Sequence, residues 1–138
     1  MSMDIKTAMQ LAAAGLSAQG TRLKVIAENL ANSDSTAPTP GGDPYRRKVV
    51  SFRSVLDRSM GANTVKTGPI LPVSGNFERR FDPANPAAGA DGYVLLPNVN
   101  PLIEITDMRD AQQSYQANLN VIDAAKNMIS HTLDLMRS

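Results

Sequence analysis

The sequence contains no cysteine and a single histidine, His131. Disulfides, thiol nucleophiles and cysteine-ligated metals are therefore excluded, and no histidine pair exists to hold a metal or relay protons. There is no tryptophan, and aromatic residues make up only 4% of the chain, which denies it an aromatic-anchored core. Neither sign of charge dominates: 14 Lys and Arg against 13 Asp and Glu leave a net charge of +1, too little to gather nucleic acid or anionic lipid. No apolar run approaches the ~18 residues that span a bilayer. The Ala- and Leu-rich stretch from Ala8 to Ala18 does not read as a cleaved signal peptide. Asp4 offsets Lys6, Gln10 interrupts the run, and the periodicity continues past any cleavage point. Phosphate-binding and dinucleotide fingerprints are missing. Gly15 to Gly20 misses the spacing of a nucleophile elbow by one residue, and Asp82 and Asp91 lack the ligand spacing of a calcium loop. The sequence reads as a non-enzyme with no cofactor and no metal.

What is present is periodicity at the two ends. From Ile5 to Ala31 a stripe runs through Ile5, Met9, Ala12, Leu16, Gln19, Leu23, Ile26 and Leu30 in alternating four- and three-residue steps. That spacing keeps one seam of a helix facing a partner. Asn32 fits a left-handed cap beyond the last turn, and Pro38 and Pro40 prevent resumption. From Pro101 to Met136 the same steps pass through Ile105, Met108, Gln112, Tyr115, Leu119, Ile122, Lys126, Ile129, Leu133 and Met136. Val121, Ala125, Met128 and Leu135 add a second line, which widens this apolar face beyond a two-stranded seam. Asn100 is a good N-cap, Pro101 suits the first helical position, and Glu104 and Asp107 favour the positive end of the helix dipole.

Between the helices, eight of the nine prolines fall from Pro38 to Pro97. Tyr45 to Leu56 reads as a strand leading into a short helical turn, and Phe77 to Phe81 and Tyr93 to Leu96 read as short strands. The expected fold is mainly α: long N- and C-terminal helices forming a coiled-coil-like pair, with a small irregular, β-rich middle. The chain is expected to form a single unit over residues 1–138, with an N-terminal helix in 1–32, the middle in 33–100 and a C-terminal helix in 101–138. Arg46, Arg47, Lys48, Arg53 and Arg58 form a basic cluster with Tyr45 and Phe52 nearby. Their scatter matches no nucleic-acid-binding signature, so a solvated or subunit-pairing patch is the better reading.

Several segments are not anonymous. Ala27-Glu28-Asn29-Leu30-Ala31-Asn32 is similar to the A-x-N-L-A-N signature of flagellar rod and hook proteins. Pro44-Tyr45-Arg46-Arg47-Lys48, Phe81-Asp82-Pro83, Ala90-Asp91-Gly92-Tyr93-Val94, Pro97-Asn98-Val99-Asn100 and Ser114-Tyr115-Gln116-Ala117-Asn118 follow in order. Together they resemble the FlgC family of bacterial flagellar basal-body (proximal) rod proteins over essentially the whole chain. Gln116, where the family commonly has Glu, and the stretch from Gly61 to Gly75 depart from the pattern.

The resemblance implies a structural subunit that leaves the cytoplasm through the flagellar type III export channel without a cleaved signal peptide. It implies polymerisation through the terminal helices into the periplasmic rod of the basal body. The implied partners are other proximal and distal rod subunits, the basal-body membrane ring and the export gate, in homo- and hetero-oligomeric contact, without nucleic acid or membrane insertion. Combined with the stripes, it makes Leu16, Leu23, Ile26, Leu30, Tyr115, Leu119, Ile122 and Ile129 the expected assembly anchors. Asn29, Asn32, Asn100 and Asn118 are the expected capping or backbone-closing residues. From periodicity alone, an intramolecular bundle acting as a soluble helical adaptor or export chaperone remains the alternative.

Overall fold

A computed structural model describes residues 4–138 of the chain. Its elements are α1 (Ile5–Ala31), β1 (Lys48–Asp57), β2 (Ala62–Pro72), β3 (Glu78–Phe81), β4 (Tyr93–Leu96) and α2 (Pro101–Arg137). Helix α1 begins where Asp4 can cap it: Thr7 N–H donates to Asp4 Oδ1 at 2.6 Å, satisfying a first-turn amide that has no partner inside the helix. Asn100 does the same for α2 through Leu102 N–H at 3.0 Å, and Pro101 follows it at the first helical position.

Helix α1 ends at the expected place by a different device. No non-glycine residue has a positive φ among the described residues, so Asn32 is not the left-handed cap that its identity suggested. Its side-chain amide donates to Glu28 O at 2.8 Å, and the Ser33 hydroxyl donates to Leu30 O at 2.9 Å. These donors take the last carbonyls without the steric cost of a left-handed non-glycine residue.

The middle is more regular than its composition suggests. Strands β1 and β2 pair as a two-stranded sheet, and their short connection makes them an antiparallel hairpin. The strand expected in Tyr45–Leu56 is present, and in place of the short helical turn expected at its end it continues to Asp57, with Val49, Val50 and Val55 as the β-branched side chains that favour it. Strand β2 carries no such signal in the sequence, because Gly68 and Pro69 interrupt any alternation. Strands β3 and β4 form a second antiparallel pair with Glu78 opposite Leu96 and Phe81 opposite Tyr93. Val94 and Leu96 face inward, at 1% and 8% exposure, while Tyr93 and Leu95 face outward. Gly92 closes the connecting loop with φ of 80°. A Cβ there would lie 2.8 Å from the Phe81 ring, so both conformation and space require glycine.

Two compact units divide the chain. One gathers the chain up to Leu23, Ser51–Pro69 and Arg109–Ser138. Within it Ala12, Ala18, Ala111 and Ala125 are buried, and Gly15 of α1 lies against Asn118 of α2 so closely that a Cβ would approach the Asn118 amide to 2.8 Å. The other unit gathers Lys24–Val50 and Ile70–Met108. Val25, Ile26, Asn29, Val94, Leu96 and Glu104 are buried there.

The Gly15 notch makes a simple expectation. Gly15→Val should destabilise the chain by about 1–3 kcal/mol, the usual cost of overpacking a filled contact, and Asn118→Ala in the same chain should recover most of it. Urea unfolding of the three variants followed by far-UV circular dichroism measures this; an unchanged midpoint for Gly15→Val would contradict the close contact.

Candidate functional site

No catalytic constellation emerges from the packing of the described residues. A cleft of about 400 Å³ separates Ala14, Ser17 and Ala18 of α1 from Asp57, Met60 and Thr64 of the first hairpin. Its one carboxylate, Asp57, is committed to the turn: Oδ1 accepts from the Ser59 hydroxyl at 2.6 Å and from Ser59 N–H at 2.9 Å. The Ser59 hydroxyl, followed by the amides of Ser59 and Met60, holds that carboxyl below its ordinary value. His131 stands exposed on α2. Among the described residues no three His, Asp or Glu side chains are grouped to hold a metal, and no helix is long and apolar enough to cross a membrane.

The densest polar chemistry is a buried clasp in the unit built from Lys24–Val50 and Ile70–Met108. Asn29, 1% exposed, uses both ends of its amide. Its Nδ2 donates to Lys48 O at 2.8 Å and to Glu104 Oε2 at 3.3 Å. Its Oδ1 accepts from the Tyr45 hydroxyl at 2.7 Å and from Lys48 N–H at 3.0 Å. Glu104 is fully buried, and its other oxygen accepts from Arg47 Nε. Arg47 Nη2 reaches Asp107 at 3.3 Å, while Arg47 N–H donates to Asn98 Oδ1 at 2.7 Å. Arg46 donates to the carbonyls of Val73 and Gly75 and lies 4.3 Å over the Phe77 ring. Part of the basic cluster is thus turned into the chain itself, where it joins α1, β1 and α2.

Burial of the Tyr45 hydroxyl, reinforced by the negative charges of Glu28 and Glu104, raises its pKa above 10.0. A raised value means that the unfolded chain loses this proton first as pH climbs. The stability that comes from keeping this buried phenol neutral is therefore complete below the ordinary phenol value and is lost as pH rises through the folded one.

Sequence reasoning does not reach this clasp. In the sequence Glu104 reads only as a first-turn acid, and Arg47 only as part of a surface patch. The one hint is that Asn29, a polar residue, stands beside the apolar positions Ile26 and Leu30. Partners so far apart in sequence leave no local pattern to read.

The apolar surface is distributed unevenly. On α2 the buried residues Glu104, Ala111 and Ala125, with half-buried Asn118, recur at multiples of seven. All are small or polar. The large side chains lie elsewhere: Ile105, Val121, Met128, Ile129, Leu133, Leu135 and Met136 are 39–78% exposed. From Lys126 to Ser138 every residue is exposed. Of the expected anchors, Ile26 is buried within its own unit, Leu16, Leu23, Leu30, Tyr115, Leu119 and Ile122 are half-buried, and Ile129 is exposed. Asn29, Asn32, Asn100 and Asn118 all engage backbone groups, Asn118 through Ser114 O at 3.0 Å.

Comparison with known proteins matches the amino-acid sequence of this chain to one group. A profile described as "Flagella basal body rod protein" matches residues 9–37, and one described as "Flagellar basal body rod FlgEFG protein C-terminal" matches residues 90–135. The flagellar basal-body rod protein FlgC of Agrobacterium fabrum is 46% identical over 97% of this chain and 96% of its own length. The FlgC proteins of Bacillus subtilis and Salmonella typhimurium are each 37% identical, over 92% and 96% of this chain and 95% and 98% of their own.

The clasp makes the sharpest energetic prediction of this region. Glu104→Ala should cost about 3 kcal/mol, the lower end for breaking a buried ion pair, because Arg47 keeps a 23% exposed side chain. Replacing both partners with Glu104→Leu and Arg47→Met should cost far less. Chemical denaturation of the variants checks the difference; equal losses would show that the pair acts by shape alone.

Proposed function

The chain belongs to the FlgC family of flagellar basal-body rod proteins, and from that premise we propose that its two terminal helices are the elements through which it polymerises. It is a structural, non-enzymatic subunit of the rod. The observation that carries the polymerisation reading is the exposure of the large apolar residues of α2, above all from Val121 to Met136. Soluble monomers seldom leave such a surface open, and where they do it marks an interaction site.

Magnitudes favour many contacts over one. Completing the burial of a half-exposed aliphatic side chain contributes about 1 kcal/mol, half the value of burying it outright. Association costs about 4–15 kcal/mol in lost freedom before any surplus appears. One small patch therefore cannot hold a subunit, whereas two long helices, each meeting several neighbours in a coiled-coil-like packing, can. Helix α1 contains Gly15 and Gly20, each less favourable than Ala by up to about 1 kcal/mol in a helix interior. Its opening turns gain full order only as they dock, which restrains premature assembly.

In this reading the partners are the other proximal and distal rod subunits, with the membrane ring and the export gate at the base. The subunit travels through the type III channel without a cleaved signal and orders at the growing tip. Buried Asn29 and Glu104 keep the helix ends in register while the outer residues meet neighbours, since buried polar groups best serve to fix register.

Two substitutions test the reading in a motile host whose own copy has been deleted. Leu133→Asp, at an exposed position, should leave the isolated chain's far-UV spectrum unchanged and abolish swimming. Leu23→Asp, on the half-buried face of α1, should also abolish swimming while the protein is still expressed and exported. Normal swimming with both variants would overturn helix-mediated assembly.

A further inference from the structure

Among the described residues β1 and β2 form a sheet of two strands only. A two-stranded ribbon is at best marginally stable in water unless a third strand or a helix packs against it. Helix α1 does not fill that place. From Ser51 to Pro69 the one buried residue is Thr64, and the cleft of about 400 Å³ holds Ala14, Ser17 and Ala18 away from the strand. Four consecutive residues of β2, Thr64–Thr67, line that cleft, whereas β1 contributes only its last residue, Asp57. Successive side chains of a strand point to opposite faces. A cleft that meets all four therefore runs along an edge of β2, the one turned away from β1. On its wall Thr64 is 6% exposed, and its hydroxyl has no hydrogen-bond partner in the chain, a costly state for a buried polar group.

We infer that this edge receives an extended, acidic segment of a partner protein, which adds a third strand to β2. An open edge offers alternating N–H and C=O groups, over roughly 13 Å for four residues, and an added strand matches them. The small side chains of the α1 wall leave room for its backbone. Charge selects an acidic occupant. The two elements that bound the cleft carry Lys6, Arg22, Arg53, Arg58 and Lys66, none of them in an ion pair among the described residues. Against them stands Asp57, whose Oδ1 is taken up by Ser59 and Met60. Asp4 lies about three helical turns from Ala14, and the α2 part of this unit has three cations and three carboxylates. Single-stranded nucleic acid would answer the cations but has no alternating amides for the edge. The site is a strand edge and not an outward helix face, so it stands or falls apart from helix-mediated assembly.

The test uses the full chain in dilute solution and labelled octapeptides of alternating valine and threonine, with two positions replaced by aspartate or by lysine. The aspartate peptide should shift the amide resonances of Thr64–Thr67 and slow their exchange. A copy with every amide N-methylated, which cannot pair along an edge, should do neither. Thr64→Val keeps the shape and removes the unpaired hydroxyl. It should leave the urea midpoint unchanged or raised, yet raise the dissociation constant of the aspartate peptide about two- to tenfold, the scale of one hydrogen bond. Lys66→Gln should raise it roughly two- to fivefold without weakening the lysine peptide. No shift at Thr64–Thr67, or a Thr64→Val chain that loses stability and binds as before, would overturn strand addition. So would equal binding of the N-methylated copy, or of oligothymidylate at the same amides, since either marks a general anion surface. Swimming of Leu133→Asp and Leu23→Asp reads helix-mediated assembly separately.

Discussion

The closest contacts between α1 and α2 are made by small or polar side chains, and this constraint shapes the rest of the molecule. Gly15 abuts Asn118 in one unit, and Asn29 bonds Glu104 in the other. Gly15 and Asn29 are two heptads apart on α1, as are Glu104 and Asn118 on α2. Alanine, glycine and hydrogen-bonded amides allow backbones to approach closely, but they bury little apolar area and so contribute little hydrophobic stabilisation. Ile105, Val121, Met128, Ile129, Leu133, Leu135 and Met136, which could have supplied it, are turned outward, and Tyr115, Leu119 and Ile122 are only half-buried. A chain arranged this way leaves much of its apolar surface exposed.

The polar clasp answers the problem this creates. A helix contact without bulky interdigitating knobs has little to set its register, and Asn29 with Glu104 and Arg47 supplies a directional substitute. Both ends of the Asn29 amide are used twice over, tying the end of α1 to the first residue of β1 as well as to α2. Such a network is costly to break at a single member, because the remaining groups are then buried without partners. Asn98 extends it by accepting from Arg47 N–H and donating to Val73 O at 3.0 Å, which links the end of β2 and the approach to α2 into one frame.

Helix positions are legible in the sequence because periodicity and punctuation coincide. The stripe beginning at Ile5 and the capping residues after Leu30 bound α1, and Asn100-Pro101 opens α2 without ambiguity. Which face turns inward is not legible. A count of apolar residues ranks Ile105 and Ile129 above Ala111 and Ala125, yet on α2 it is the alanines that are buried. The inward line lies to one side of the counted stripe, about 40° from Met108, Tyr115 and Ile122 and about 100° from Ile105 and Leu119. In a subunit of a polymer, apolar and internal are separate properties, and a single chain's pattern records only the first. Strand β2 escapes a reading of the sequence because its partner across the hairpin, not its own alternation, holds it extended. The clasp escapes it because charge-pair partners far apart in sequence carry no local signal.

On the proposed assembly, the chain's own contacts are too slight to hold its ends without neighbours. Hydrogen exchange on the full chain tests this most directly, comparing dilute monomer with assembled material. The amides of Ile5–Leu11, ahead of the buried Ala12 and the Gly15 contact, and of Lys126–Arg137 should exchange rapidly in the monomer and become strongly protected on assembly. Slow, concentration-independent exchange across both segments in dilute solution would contradict the account, because helices already secure alone would have no need of neighbours to order them.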